Sequence, residues 1–172
     1  MSIFKETTPE YAVIKNFYGD QTAQRSGVKL IRHIDEGLAV LSDIKANDVA
    51  KRAYCLHPLL QGDDALSANY ANQALYKCHP YAIVVAMEYR RVANAYLSTR
   101  HVEKLEEIDL GPLKEVSDML VADKVQNHKD FHKYHQKHPR FEQLDYYFKM
   151  WFVKLGLSRL EVARLEEVCE KA

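Results

Sequence analysis

Helix-breaking residues are scarce in this chain, and the apolar residues between them recur every three or four positions. Six glycines and five prolines punctuate 172 residues, and no stretch shows the strict apolar–polar alternation of a half-buried strand. This pattern predicts an all-α chain of seven or eight helices around one core. Thr8-Pro9-Glu10 predicts a first helix, with an N-cap, a proline in the first turn and an acidic residue near the positive helix end, running to about Asp20. A polar loop, Gln21 to Gly27, follows. Leu30, Ile31, Ile34, Leu38 and Leu41 mark the next helix. Its partner starts at Asn47-Asp48, with Pro58 expected to interrupt it.

Further helices are predicted from Ala65 to Tyr76, from Tyr81 to about Leu97, and from Pro112 to about His135. Another opens at Pro139, carries Phe141, Tyr146, Tyr147, Phe148, Trp151 and Phe152, and ends at Gly156. Ser158 and Glu161 form a capping box for the last, Arg159 to Glu170. No linker, repeat or low-complexity segment divides residues 1–172, so one domain is expected, with the helices at 140–171 packed on the rest.

Composition narrows the function classes. Lys+Arg and Asp+Glu are both 24, so the basic excess typical of a nucleic-acid binder is missing and no DNA or RNA partner is expected. The longest apolar stretch, Tyr81 to Met87, is too short to span a bilayer. MSIFKETTPEY has no signal-peptide core. Cys55, Cys78 and Cys169 make no CxxC pair and are expected to be buried thiols of a reducing compartment. These features predict a cytoplasmic protein with no membrane partner.

Three separated segments carry candidate chemistry: Val28-Lys-Leu-Ile-Arg-His33-Ile34, Ala53-Tyr-Cys-Leu-His57-Pro58-Leu-Leu-Gln61-Gly62-Asp63-Asp64, and Leu120-Val-Ala-Asp123-Lys124-Val-Gln-Asn127-His-Lys-Asp130-Phe131. Each places a His or an Asp in or beside an apolar helical run that can face a shared interior. Together they resemble the HD phosphohydrolase superfamily, and within it the RelA/SpoT-type alarmone hydrolases and their small stand-alone relatives. "VKLIRHI" is similar to that family's "PYINHP", "AYCLHPLLQGDD" to "ALLHDTVEDT", and "LVADKVQNHKDF" to "KLADKLYNLRDL". The third match is the most specific, sharing Ala122, Asp123, Lys124, Asn127 and Asp130 in one register. The resemblance covers roughly residues 15 to 135.

The resemblance implies a helical HD-like fold, with His33, His57 and Asp123 as metal ligands. It implies Mn, Zn or Fe as the ion, weakly held or absent, and a small nucleotide, guanine or related, as the ligand. Arg25, in the loop before the first ligand, and Lys124 and Asn127 are the implied ligand-binding residues. The departures fall at the centre of the chemistry. Pro58 occupies the aspartate of the His-Asp pair, and Gln61 and Gly62 occupy the acidic pair that helps position or deprotonate water. Pro cannot ligate a metal, and Gln is no base near neutral pH. Asp63 or Asp64 are out of register as replacements. The favoured expectation is a nucleotide-binding domain with reduced or lost hydrolysis. The alternatives are an active phosphohydrolase with a rearranged centre, and an interaction or inhibitor module.

Other features carry less. Arg90 and Arg91 suit a ligand phosphate through the guanidinium fork, or form an ion pair within Glu88-Tyr89-Arg90-Arg91. His128, His132 and His135 share a helical face that can bind a transition metal, but the flanking Lys129, Lys133 and Lys137 favour a solvated face. The aromatic helix is expected in the core or at a contact with a second copy or a protein partner.

Overall fold

The computed structural model describes residues 2–24, 26–95 and 101–172. Among them the chain forms nine α-helices: α1 (Ser2–Thr7), α2 (Pro9–Tyr18), α3 (Ile31–Asp43), α4 (Asp48–Gln61), α5 (Asp63–Ala71), α6 (Pro80–Asn94), α7 (Lys114–Tyr134), α8 (Phe141–Lys154) and α9 (Arg159–Glu170), with a 3-10 turn at Leu105–Glu107. No sheet forms among the described residues; one isolated bridge, Thr22 to Lys29, closes the loop between α2 and α3. The all-α expectation holds. The added element is α1, six residues long and without the periodic apolar face that marks the others in the sequence. The expected end of α6 near Leu97 lies outside the described residues.

Cap chemistry is mixed. Asn47 accepts from the Ala50 amide at 2.9 Å, and Ser158 and Glu161 complete their reciprocal box. Thr8 is different. Its hydroxyl donates to the Phe4 carbonyl at 2.8 Å, closing α1 instead of capping α2. Glu10, expected near the positive end of a helix, stands there in the first turn of α2 and is fully buried. It accepts from Arg52 at 2.8 Å and from the His79 amide at 2.6 Å, so it ties α2 to α4 and to the start of α6.

The central helix is α4, which packs on α2, α3, α5, α6 and α7. Its buried residues, Ala50, Ala53 to His57, Leu59 and Leu60, surround the helix, as suits one with neighbours on every side. The expected interruption at Pro58 does not occur; α4 continues through it to Gln61. Opposite, α7 packs on α3, α4, α6, α8 and α9. The aromatic set of α8 turns inward, with Tyr147, Phe148, Trp151 and Phe152 buried and Tyr146 exposed. No helix among the described residues is long and apolar enough to cross a membrane.

A buried polar cluster joins α3 to α7. Glu36 Oε2 receives Lys129 Nζ at 2.5 Å and Gln126 Nε2 at 3.1 Å, and its Oε1 receives Arg32 at 2.9 Å. Burial alone pushes the Glu36 carboxyl up; the bonds from Lys129, Gln126 and Arg32 outweigh it and hold the group below its ordinary value of 4.5. A depressed carboxyl contributes stability that is complete above its unfolded-state pKa and fades as pH falls through the folded-state value. Native protein is therefore expected to lose stability below about pH 4.5 more steeply than Glu36→Gln, as followed by urea unfolding at stepped pH. Equal slopes would remove Glu36 from the acid response.

A second close contact joins α3 to α4. A methyl group added at Gly37 would lie 2.2 Å from the ring of Tyr54, which is fully buried. Gly37→Ala gains about 1 kcal/mol of helix propensity but overpacks this contact at a cost of about 1–3 kcal/mol, more where the ring cannot shift. A lower urea midpoint with an unchanged slope is the expected result. A raised midpoint would mean that the Tyr54 ring gives way freely.

Candidate metal centre

His33 stands in the first turn of α3, His57 in the last turn of α4 and Asp123 midway along α7. The crossing of these helices brings one donor atom from each within 4.8 Å of the others. His33 Nε2 lies 3.2 Å from His57 Nε2 and 3.7 Å from Asp123 Oδ1. His57 and Asp123 are buried, and His33 is half-buried.

The other ring nitrogens decide what these atoms can do. His57 Nδ1 lies 2.6 Å from the Tyr54 carbonyl, and a carbonyl only accepts, so Nδ1 carries the proton. In an unbroken helix the Tyr54 carbonyl would receive the amide of residue 58. Pro58 has no amide hydrogen, and the carbonyl is left for the imidazole. Burial, and then neighbouring His33, push the His57 pKa down to about 3, so the ring is neutral and Nε2 presents a lone pair.

On the other ring, His33 Nδ1 lies 2.6 Å from Gln126 Oε1. The Gln126 amide is oriented by its nitrogen, which donates to Glu36 Oε2 and, at 2.8 Å, to Asp130 Oδ2. Its oxygen must then face His33 and accept from it. Two acceptor nitrogens thus face each other at 3.2 Å, beside a carboxylate. The Tyr54 hydroxyl is 3.4 Å from His33 Nε2 and equally far from the His33 carbonyl. One extra proton on a ring can relieve the opposition of two lone pairs. A divalent cation relieves it for all three groups together, and two imidazoles with one carboxylate suit Zn, Mn or Fe.

Asp123 is held for this role. Its Oδ1 accepts from Asn127 at 2.8 Å and its Oδ2 from Lys124 at 3.0 Å. Burial opposes its charge, but Lys124, His33 and His57 outweigh that and hold the carboxyl at about 2. Lys124 is itself buried, 4.9 Å from the centre of the Trp151 ring. Tyr54 and Tyr89 pack on the His57 ring, with centroids at 4.7 and 5.1 Å, and the burial of their hydroxyls keeps both neutral.

The three donors lie in the wall of a cavity of about 480 Å³, within the usual range for small-molecule sites. Gln61, Lys124, Asn127, His135 and His138 contribute to the polar lining, and Leu30, Pro58, Phe131, Tyr134, Leu144, Tyr147 and Phe148 to an apolar and aromatic wall. Of the other expected ligand-binding residues, Arg25 lies outside the described residues. Arg90 pairs with Asp63, and Arg91 with Glu88 at 2.8 Å and Asp109 at 3.4 Å; neither lines this cavity. These pairs match the ion-pair reading: Glu88 and Asp109 engage the Arg91 guanidinium, and Asp63 engages one nitrogen of Arg90. Gly62 opens α5 as its N-cap. Sequence reasoning missed Gln126 and Tyr54, whose roles depend on partners distant along the chain.

No family model matches this chain, and neither does any curated protein or solved structure.

The orienting role of Gln126 is open to measurement. Loss of such an outer partner typically weakens metal affinity by 10–100-fold. Gln126→Leu is therefore expected to weaken Zn²⁺ or Mn²⁺ binding at this centre by that factor in calorimetric titration, while His33→Ala abolishes binding at this centre alone. Unchanged affinity in Gln126→Leu would mean that the Gln126–His33 bond does not prepare the ligand.

Proposed function

We propose that this chain binds a small nucleotide beside a divalent ion held by His33, His57 and Asp123, and that it hydrolyses alarmone-type nucleotides poorly or not at all. The observation that carries the reading is the opposed pair of acceptor nitrogens beside a buried carboxylate, set in the wall of a cavity of nucleotide size. The HD-like motif order adds a reason to think of phosphate esters. When bound, the ion supplies Lewis-acid polarisation of a phosphoryl oxygen. The aromatic wall of Phe131, Tyr134, Tyr147 and Phe148 offers flat apolar surface for a base, and His138, whose Nδ1 accepts from the Arg140 amide, carries its proton on Nε2 and can donate it to a phosphate.

Loss of hydrolysis is argued from the carboxylates. Hydrolysis needs a group that takes a proton from water at the reacting phosphorus. Among the described residues lining the cavity, the acidic side chains are Asp123 and Asp130. Both oxygens of Asp123 are engaged by Asn127 and Lys124. Those of Asp130 are engaged by Gln126 and Lys129. Asp63 is drawn to Arg90 and does not reach the cavity lining. Pro58 and Gln61 do line it, with no basic atom to offer.

A missing general base costs about 10²–10⁴-fold in rate. Pro58→Asp with Gln61→Glu and Gly62→Asp restores the acidic residues, and a side chain at Gly62 meets nothing within 4 Å. In manganese, over a panel of guanine and adenine nucleotides, native protein is expected to turn over at least about a hundredfold more slowly than this variant. Bound nucleotide at 100 times its Kd should still stabilise native protein by about 2.7 kcal/mol. Brisk native turnover abolished by His57→Ala would instead establish an active phosphohydrolase with a rearranged centre. Neither turnover nor nucleotide binding would shift the weight to an interaction module.

A further inference from the structure

A second group of ligand-type side chains lies where α7, α8 and α9 meet. His128 and His132 stand one turn apart on α7, and the helical repeat puts them on one face. Asp145 faces them from α8 and Glu166 from α9. Donor atoms of His128, His132 and Asp145 all lie within 4.8 Å of one another. His132 Nε2 is 2.9 Å from Asp145 Oδ1, and His128 Nε2 is 3.5 Å from the same oxygen. His128 is largely buried rather than on the solvated face that its lysine neighbours suggest.

We infer that His128, His132 and Asp145 form a second metal site, for Zn²⁺ or a similar late first-row divalent ion, which pins α8 to α7. Four observations support it. Glu166 Oε1 accepts from His128 Nδ1 at 2.6 Å, which fixes the tautomer and leaves Nε2 as the ligand atom, the carboxylate–histidine arrangement common behind metal-bound imidazoles. The His128 ring is set edge-on against Phe148 and Phe152, with centroids at 5.3 and 5.1 Å, so its direction is held by packing. Lys149 pairs with Asp145 Oδ2 and leaves Oδ1 to the histidines.

The fourth is spacing. Donors bound at about 2.0–2.2 Å around a tetrahedral ion stand about 3.3–3.6 Å apart; His128 Nε2 already lies 3.5 Å from Asp145 Oδ1, while His132 Nε2, at 2.9 Å, has to draw back slightly to admit an ion. A purely ionic network fits less well. At 3.5 Å, His128 Nε2 is too far from Asp145 for a charge-assisted hydrogen bond of about 2.7–2.9 Å. The two imidazole rings are centred 4.3 Å apart, where two positive charges would repel. With neutral rings, Asp145, Glu166 and Lys149 leave one net negative charge, which favours a cation. On binding, the ion takes the place of the His132 Nε2 proton that Asp145 accepts, and the neutral ring carries its one proton on Nδ1 instead. His132 is 42% exposed on its side chain, so an ion can enter there and keep a position open to water.

This inference does not depend on the nucleotide reading, and stoichiometry separates the two. The full chain, stripped with a chelator, is titrated with zinc alone and its metal content measured after desalting. His132→Ala and Asp145→Asn are each expected to bind one equivalent fewer than native protein, whatever the native total. His33→Ala is expected to keep the equivalent that His132→Ala loses. Cobalt added to His33→Ala should give the visible absorption of a tetrahedral ion, and His33→Ala with His132→Ala should not. Zinc content unchanged in both His132→Ala and Asp145→Asn would overturn the site and leave an ion-pair network. So would a folded His33→Ala protein that takes up neither metal.

Discussion

Glu36 is an acidic residue in a place where a charge is costly, and much of the candidate centre depends on how that cost is met. Its carboxylate is buried between α3 and α7 with Lys129, Gln126 and Arg32 around it. Removing one partner from such a buried pair typically costs 3–5 kcal/mol, whereas replacing the whole set with apolar groups is often neutral. The cluster therefore says little about net stability and much about register. Sliding α3 along α7 by one residue would separate Glu36 from Lys129 and Gln126 together. The same register sets the Gln126 amide, which sets the tautomer of His33.

Pro58 acts in the same way on the other histidine. A proline within a helix forfeits a backbone bond and crowds the preceding turn, at about 3 kcal/mol in an ordinary helix. Here it lies in the last turn of α4, near the end, where fewer residues depend on the ladder. The carbonyl it leaves open is taken by His57 Nδ1. The proline that stands where the resemblance would place a carboxylate thus also orients the adjacent imidazole. In the proposed reading, one residue thereby serves the holding of a cation while offering no carboxylate to activate water. The proposed binding of nucleotide with little hydrolysis rests on that combination.

Much of this was legible in the sequence because helices are local. The Ser158–Glu161 box and the Asn47 cap involve residues three apart, and the apolar period of α3 reports which face is buried. The three donor residues could be chosen because their order resembles that of the HD-type motif. What could not be read depended on partners far along the chain. Glu10 reads in sequence as a partner of the helix dipole, and its bonds to Arg52 and the His79 amide come from residues far along the chain. His128 and His132 looked solvated because the lysines beside them are visible in sequence, while Asp145 and Glu166 come from other helices. Pro58 read as a breaker because its compensating bond comes from a side chain.

The position of α7 between the two clusters has a consequence for how they relate. Five residues separate Asp123 from His128, and at 3.6 residues per turn that is a rotation of about 140°. The helix must therefore present the two clusters on different faces, and no side chain of α7 can serve both. What joins them is α8. Phe148 lies against the His128 ring on one side and lines the first cavity on the other. Leu144 and Tyr147 line that cavity from the same helix, one residue to either side of Asp145 and Tyr146. Any contact that fixes Asp145 against α7 fixes the wall that faces His33 and His57 as well. The distance over which such fixing acts is one helix diameter, short enough for packed side chains to carry it without any change in backbone.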